Sequence, residues 1–365
     1  MRPSTRRRIS LFVEALGVGA VIGLLLGSAR GVAFHPAPLQ GAILGGIAGV
    51  LNGVILIGAV GAAEIFLSRT RIGRLLERTP FVVTFVMKVL VYGTLTVCII
   101  GGRVGRRLAV AVAAPVLGSD PAVVSHVLDA PMEQQLAISL VILSVGMLLL
   151  ELGYLVGVQT LRDIALGRYH RSRTEERFFL FVDIAGSTSL AERIGPEAVH
   201  RFLGEVFRLA SDPIDEHDGD VYQYVGDEVV ITWTVDKGRD QARPLACFFA
   251  IEQELARATP DFEREFGVAP RLRAALHAGR VITGEVGGSR RAIVYHGDVM
   301  NTTSRLEQAT RDLERQFLAS EDALACLEDL DGFVLDDLGP KPLRGRAATV
   351  RVYAVTTHRG RGSMS

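Results

Sequence analysis

The sequence predicts two parts of different fold class: an all-α domain of four transmembrane helices, then a soluble domain in which strands and helices mix. Three observations carry this. Residues 1–161 of the 365-residue chain hold only 13 Lys+Arg and 7 Asp+Glu, whereas the remainder holds 27 and 33. Four stretches in the front half, 9–29, 41–67, 81–101 and 136–158, are apolar over the roughly 20 residues a bilayer crossing takes. Behind them, apolar runs of strand character alternate with helical patterns and Gly-Asp or Gly-Pro breaks. The soluble part is mildly acidic and has no basic stripe, which argues against a nucleic-acid partner. Cys98, Cys247 and Cys326 share no metal-ligand spacing and, being three, cannot all pair, which suits a reducing cytoplasm.

In the first span, 9–29, the apolar core is long for a signal peptide and three more spans follow, so it reads as a membrane helix. The second, 41–67, is rich in small residues that let helices approach closely. Arg2, Arg6, Arg7 and Arg8 precede the first span, Arg69, Arg71, Arg74 and Arg78 separate the second from the third, and Arg162, Arg168, Arg171 and Arg173 follow the fourth. With four spans these groups fall on one side, so both termini are expected in the cytoplasm, and the lipid bilayer is a partner. Arg103, Arg106 and Arg107 lie on the outer side against that trend, and LAVAVAAPVLG there allows a fifth, interfacial or re-entrant element. Lys88 and Glu151 lie at equal depth in spans three and four. Either Lys88 snorkels and Glu151 faces a polar gap, or the two form a buried pair that sets helix rotation and passes a signal inward. Residues 159–177 are polar and begin in helical register with span four, as a solvated spacer or as a coupling helix.

The soluble domain is expected over 178–356, with a disordered tail at 357–365. FFLFVDI (178–184) reads as a buried strand with Asp183 at its carboxyl end; AGST then opens a helical pattern broken at Gly195–Pro196. A strand, an acid, a small-residue turn and a helix start suit phosphate and a divalent ion: the turn amides of Gly186, Ser187 and Thr188 meet phosphate oxygens, and the acid holds the ion. In DVYQYVGDEVVITW (220–233) two apolar runs flank Gly226–Asp227, a hairpin signal. Asp227 either simply occupies a turn that favours it or lies beside Asp183, where two carboxylates suit two ions. Glu228 is expected to point to the opposite face. In GDVMNTTSRLEQATRDL (297–313), Asp298 is placed to cap a helix on which Asn301 and Arg305 share a face. That pair suits a ribose and a developing phosphate charge, or is a surface pair with Glu307 or Asp298 as partner. Trp233 reads as core or dimer interface, and His277 and His296 as ordinary strand or loop residues.

FVDIAGST, YVGDEVV, LRAALHAGRVITGEVG, YHGDVMNTTSRLE and PLRGRAATVRVYAV, in that order, resemble the catalytic domain of the class III nucleotidyl cyclases over essentially all of 178–356. The resemblance implies an α+β, ferredoxin-like βαββαβ core with added strands, acting as a head-to-tail homodimer with two sites at the interface. It implies that Asp183 and Asp227, with the Ile184 carbonyl, bind two Mg2+ or Mn2+, that Asn301 positions the ribose, and that Arg305 stabilises the α-phosphate transition state. Arg344 falls where the family usually has a Lys contacting the terminal phosphates. At the two purine-reading positions this chain has Gln223 and Val294, where adenylyl cyclases commonly carry Lys and Asp or Thr. A Gln amide serves adenine or guanine, so ATP is the expected substrate and GTP the alternative. A membrane-bound adenylate cyclase of the inner (plasma) membrane, multi-pass with a cytoplasmic catalytic domain, is the activity implied. A membrane receptor or scaffold that binds nucleotide without turnover is the competing one.

Overall fold

The computed structural model describes residues 3–34, 37–67, 79, 81–101, 110–111, 114–115, 139–140, 143–144, 147–148, 167–288, 292–343 and 349–358. The chain divides into two compact units, Thr5–Leu161 and Arg162–Ser365 together with Met1–Ser4.

In the first unit three helices are described: α1 (Pro3–Phe34), α2 (Pro38–Leu67) and α3 (Phe81–Gly101). The apolar stretches Leu16–Ala33 and Pro38–Gly61 are long enough to cross a membrane, while Val82–Thr94 in α3 is shorter. Most of the fourth predicted span, including Glu151, lies outside the described residues, as do the LAVAVAAPVLG segment for the most part and the connector up to 166. Leu143 and Met147, from that fourth span, are buried together with Leu56 and Val60 of α2 and Tyr92 of α3.

Glycines spaced by four set the contact of α1 with α2. Gly19, Gly23, Gly27 and Gly31 meet Gly53, Gly49, Gly45 and Gly41 in antiparallel order, and a Cβ built on any of Gly23, Gly27 and Gly31 would run into the backbone carbonyl of its partner. Only glycine permits that approach. Gly27→Leu should therefore cost about 1–3 kcal/mol or more by overpacking, read as a lower melting temperature of the solubilised protein. Gly17 faces open space, so Gly17→Leu should leave melting unchanged.

The second unit is built on one sheet. β1 (Arg173–Ile184) is followed by α4 (Ser187–Ile194), α5 (Pro196–Glu216), β2 (Asp220–Val225), β3 (Glu228–Thr234), α6 (Arg243–Phe266) and β4 (Leu272–Val286). β5 (Ala292–His296), α7 (Asp298–Asp312), β6 (Phe317–Ser320), the short α8 (Glu321–Ala325), β7 (Phe333–Lys341) and β8 (Val350–Thr357) complete it. The sheet order is β2-β3-β1-β4-β6-β8-β7, with β5 also pairing β4. Its first four strands are antiparallel in the β4-β1-β3-β2 order of a βαββαβ core, and β6 joins β4 in parallel.

β1 is covered on both faces, which is why FFLFVD lacks a polar alternation. Phe178, Leu180, Val182 and Ile184 pack with Phe202, Val206 and Ile214 of α5 and Phe248, Ile251 and Leu255 of α6. Phe179 and Phe181 face the other way, with Val230, Val281 and Val299 at the start of α7. β1 begins at Arg173, upstream of the apolar run, because its polar residues neutralise one another: Arg177, 3% exposed, donates to Glu175 at 3.0 Å, and Glu175 also accepts from the buried Tyr169 hydroxyl at 3.3 Å. Trp233 is core, donating to the His217 carbonyl at 2.8 Å, and His277 is a buried partner of Ser320 at 2.7 Å.

Candidate active site

The antiparallel register brings the end of β1 to the β2–β3 turn. Asp183 stands opposite Glu228, and the Ile184 N–H donates to the Asp227 carbonyl at 3.3 Å. Gly226 adopts φ 64°, the left-handed conformation that lets a two-residue turn close there. The Asp183 and Asp227 carboxyl groups come within hydrogen-bonding reach of each other. Asp183 is buried and Asp227 half-buried. The Ser187 hydroxyl donates to the Asp227 carboxylate, so this residue of the AGST turn orients an acid. Gly186, in the left-handed region at φ 78°, precedes α4, whose first turn has no side-chain cap; Thr188 is exposed.

Glu228 was expected to point away and does not. Residues directly opposite in an antiparallel pair project to one face, so Glu228 joins Asp183. Burial, followed by the charges of Glu307, Asp183 and Asp227, pushes the Glu228 carboxyl up to about 7. Burial, followed by Asp227 and Glu307, pushes Asp183 up to about 6, against the pull of Arg311. α7 supplies the rest of this cluster. Arg311 donates to Asp183 at 3.0 Å and lies 3.5 Å from Glu307, whose Oε1 is buried without a hydrogen bond among the described residues. Glu307 is likewise held up, chiefly by burial. Glu228, Glu307 and Arg311 are the site residues that motif reading missed. Glu307 and Arg311 stand four apart, the spacing of a helix-face pair, but their approach to β1 spans 128 residues of sequence.

These shifts fix a pH dependence. The folded protein holds protons on Asp183 and Glu228 that the unfolded chain has already released, so stability is fully present near pH 4 and is lost as pH rises through about 6 to 7. The metal-free protein should melt at a higher temperature at pH 5 than at pH 7.5, and saturating Mg2+ or Mn2+ should flatten that slope. A flat metal-free profile would contradict the clustering of acids.

Asn301 and Arg305 share a face of α7, Asn301 exposed and Arg305 half-buried. At 100° per residue, Arg305 is turned about 200° from Glu307 around the helix. It pairs with neither Glu307 nor Asp298; Glu307 pairs with Arg311, and Asp298 sits in the first turn behind Gly297, its carboxylate accepting from Thr302 at 3.4 Å. Gln223 is exposed on β2 opposite Val230, hence on the Phe181 face of the sheet. Val294 is half-buried on β5. Alternation along β5 turns it to the reverse face, because its neighbour Tyr295 packs on Phe179 at 5.3 Å. Arg344, Arg290, Arg291 and the tail from 359 lie outside the described residues.

Among the described residues no group of three or more acidic, His or Cys side chains converges as a ready-made metal cage. Asp183, raised first by burial and then by the charges of Asp227 and Glu307, with Asp227 beside it and a Glu307 oxygen that makes no hydrogen bond among the described residues, is nevertheless part of a hard-oxygen set. Such a set fits Mg2+ or Mn2+, which often takes only one or two protein carboxylates alongside substrate phosphates.

Residues 170–357 match the adenylate and guanylate cyclase catalytic domain. The chain is 39% identical to adenylate cyclase 2 of Rhizobium meliloti (strain 1021) over 58% of its own length and 57% of that protein's, and 31% identical to adenylate cyclase 1 of the same organism over 48% and 27%. It thus spans less than two thirds of either relative. A bacterial light-regulated adenylyl cyclase structure aligns at a TM-score of 0.51 and 20% identity, over 63% of this chain and 66% of that one, a likeness of fold. The ordered blocks, the βαββαβ sheet and the match over more than half the chain agree: this chain belongs to the adenylate and guanylate cyclase catalytic domain family.

Proposed function

We propose that the chain is a membrane-bound adenylate cyclase converting ATP to 3′,5′-cyclic AMP and pyrophosphate at sites completed by a second copy. The observation that carries this is the convergence of Asp183 and Asp227 at the junction of β1 with the β2–β3 turn. Asp183, Asp227 and the Ile184 carbonyl would hold the two Mg2+ or Mn2+, which would supply neutralisation of phosphate charge. The uncapped first turn of α4, at Gly186–Thr188, leaves amides for phosphate oxygens. Arg344 is assigned to the terminal phosphates.

Asn301 and Arg305 face away from Glu307 and so away from the acids of their own chain. That is the reason for assigning them to the acids of a partner, in a homodimer with two sites. There Asn301 orients the ribose so that its 3′ oxygen stands in line with the α-phosphate, and Arg305 meets the charge that grows as pyrophosphate leaves. Gln223 offers its amide to the base edge, and with no charged group at Gln223 or Val294 the preference for ATP over GTP rests on the orientation of that amide.

Membrane anchoring is supported by α1 to α3, where Leu25, Val82 and Leu90 (each 64% exposed) and Leu39 (77%) present apolar surface outward. With the arginine distribution, this supports a four-span anchor over 1–158, a connector over 159–177, and a cytoplasmic catalytic domain over 178–356. The test is turnover of ATP and of GTP by purified full-length protein with Mn2+, beside Asp227→Ala. Cyclic AMP from the wild type and none from the variant is the expected result. Cyclic GMP alone would reverse the base assignment, and no product from either nucleotide would establish a nucleotide-binding membrane scaffold instead.

A further inference from the structure

Arg177 is a buried cation that takes no part in the acid cluster. It lies on β1 six residues before Asp183 and on the same face, 3% exposed. Its Nε donates to Thr232 Oγ1 at 3.1 Å and its Nη1 to Glu175 at 3.0 Å, its Nη2 lies 3.7 Å from Asp220, and its guanidinium carbon lies 4.9 Å from the centre of the Tyr295 ring. Burying a guanidinium costs several kcal/mol unless it is paired and hydrogen-bonded, so these partners fix the group, and through it the ring, in one place.

That ring stands edge-on to two others, Phe179 at 5.3 Å and Tyr222 at 4.9 Å. Tyr222 sits where the β2 register shifts between Val221 and Gln223. A bulge of this kind re-aims side chains, and here it sets Gln223 opposite Val230 with the Tyr222 ring on the same face. The aromatic contact thus runs from β5 to β2 across β4, β1 and β3. On the face that carries Gln223 and Asp183, the side chain β5 presents is Tyr295, with Val294 turned to the reverse.

We propose that Tyr295 is the β5 wall of the base pocket, and that Arg177 is the positioning residue that holds its ring there. The assignment rests on the cyclase reading for the identity of the pocket. Tyr295 supplies apolar and aromatic surface to the purine, Gln223 supplies hydrogen bonds to its edge, and Arg177 touches no substrate. The wall is indifferent to exocyclic groups, so it contributes affinity, and Gln223 alone contributes discrimination.

The test is binding of ATP and of GTP to the solubilised full chain by titration calorimetry, with turnover followed on the same preparations. Tyr295→Leu should weaken both nucleotides by about tenfold, because base–aromatic contact is largely insensitive to which base is present. Tyr295→Phe should stay within about twofold of wild type. Arg177→Lys keeps the charge but loses the planar fork, and should give an intermediate rise in Kd and KM with kcat unchanged. Wild-type Kd values in both Tyr295→Leu and Arg177→Lys, or a loss of kcat without a rise in KM, would overturn the assignment and leave the cyclase reading intact. Weakened binding as predicted, in a chain whose wild type forms no cyclic product, would support the wall and overturn the cyclase reading.

Discussion

Asp183→Asn should lower kcat for cyclic AMP formation by at least about 10²–10³, the cost of losing one source of transition-state charge stabilisation, here the metal ion that Asp183 would hold, and should at the same time raise the melting temperature of the metal-free protein above pH 7. The two directions have one cause. Asp183 is buried beside Asp227 and Glu307, and its carboxyl is pushed up to about 6. Its negative charge therefore costs the folded state free energy that the neutral amide does not. Asn keeps an oxygen for the Arg311 donor that lies 3.0 Å away, so the fold loses little. A variant that loses activity only because it unfolds would melt lower, and the account would then be wrong about why these acids are together.

Arg305→Ala should lower kcat by about 10²–10³ as well, but with metal binding and melting at wild-type values. Arg305 is half-buried on α7 and pairs with neither acid proposed for it from sequence. Removing it breaks no hydrogen bond or ion pair among the described residues. The structural cation of this helix is instead Arg311, tied to Asp183 and Glu307. Arg311→Ala should therefore behave in the opposite way, lowering melting at neutral pH. Mn2+ titration by calorimetry beside initial rates separates the two arginines. Equal losses of stability in both would contradict the division of labour along α7.

What was legible in the sequence was local. Asp183 at a strand end and Asp227 in a Gly-Asp turn are marked by their immediate neighbours, and the structure joins them through one strand pairing, β1 with β3. The face of Glu228 is not legible locally, because it depends on the cross-strand register, which a two-residue turn alone does not reveal. Glu307 and Arg311 were invisible as site residues because their contact with Asp183 requires the whole β4–β5–α7 excursion to fold back on β1. The start of β1 was hidden for another reason: Arg177 and Glu175 read as linker until their mutual neutralisation is seen. In the front half, the small-residue character of α2 was evident, but the matching glycines of α1 acquire meaning only in antiparallel register, Gly19 against Gly53 through Gly31 against Gly41.

The claim on which the rest depends is that the acids of one copy work with Asn301 and Arg305 of another. Asp227→Ala and Arg305→Ala chains, each inactive alone, should be co-expressed and purified as mixed dimers. Random assortment makes half of the dimers heterodimers, each with one intact site of two, so activity should return to about a quarter of the wild type in a closed two-fold dimer. Activity no higher in the mixture than in either parent would show that each chain completes its own site, and the account would fail there.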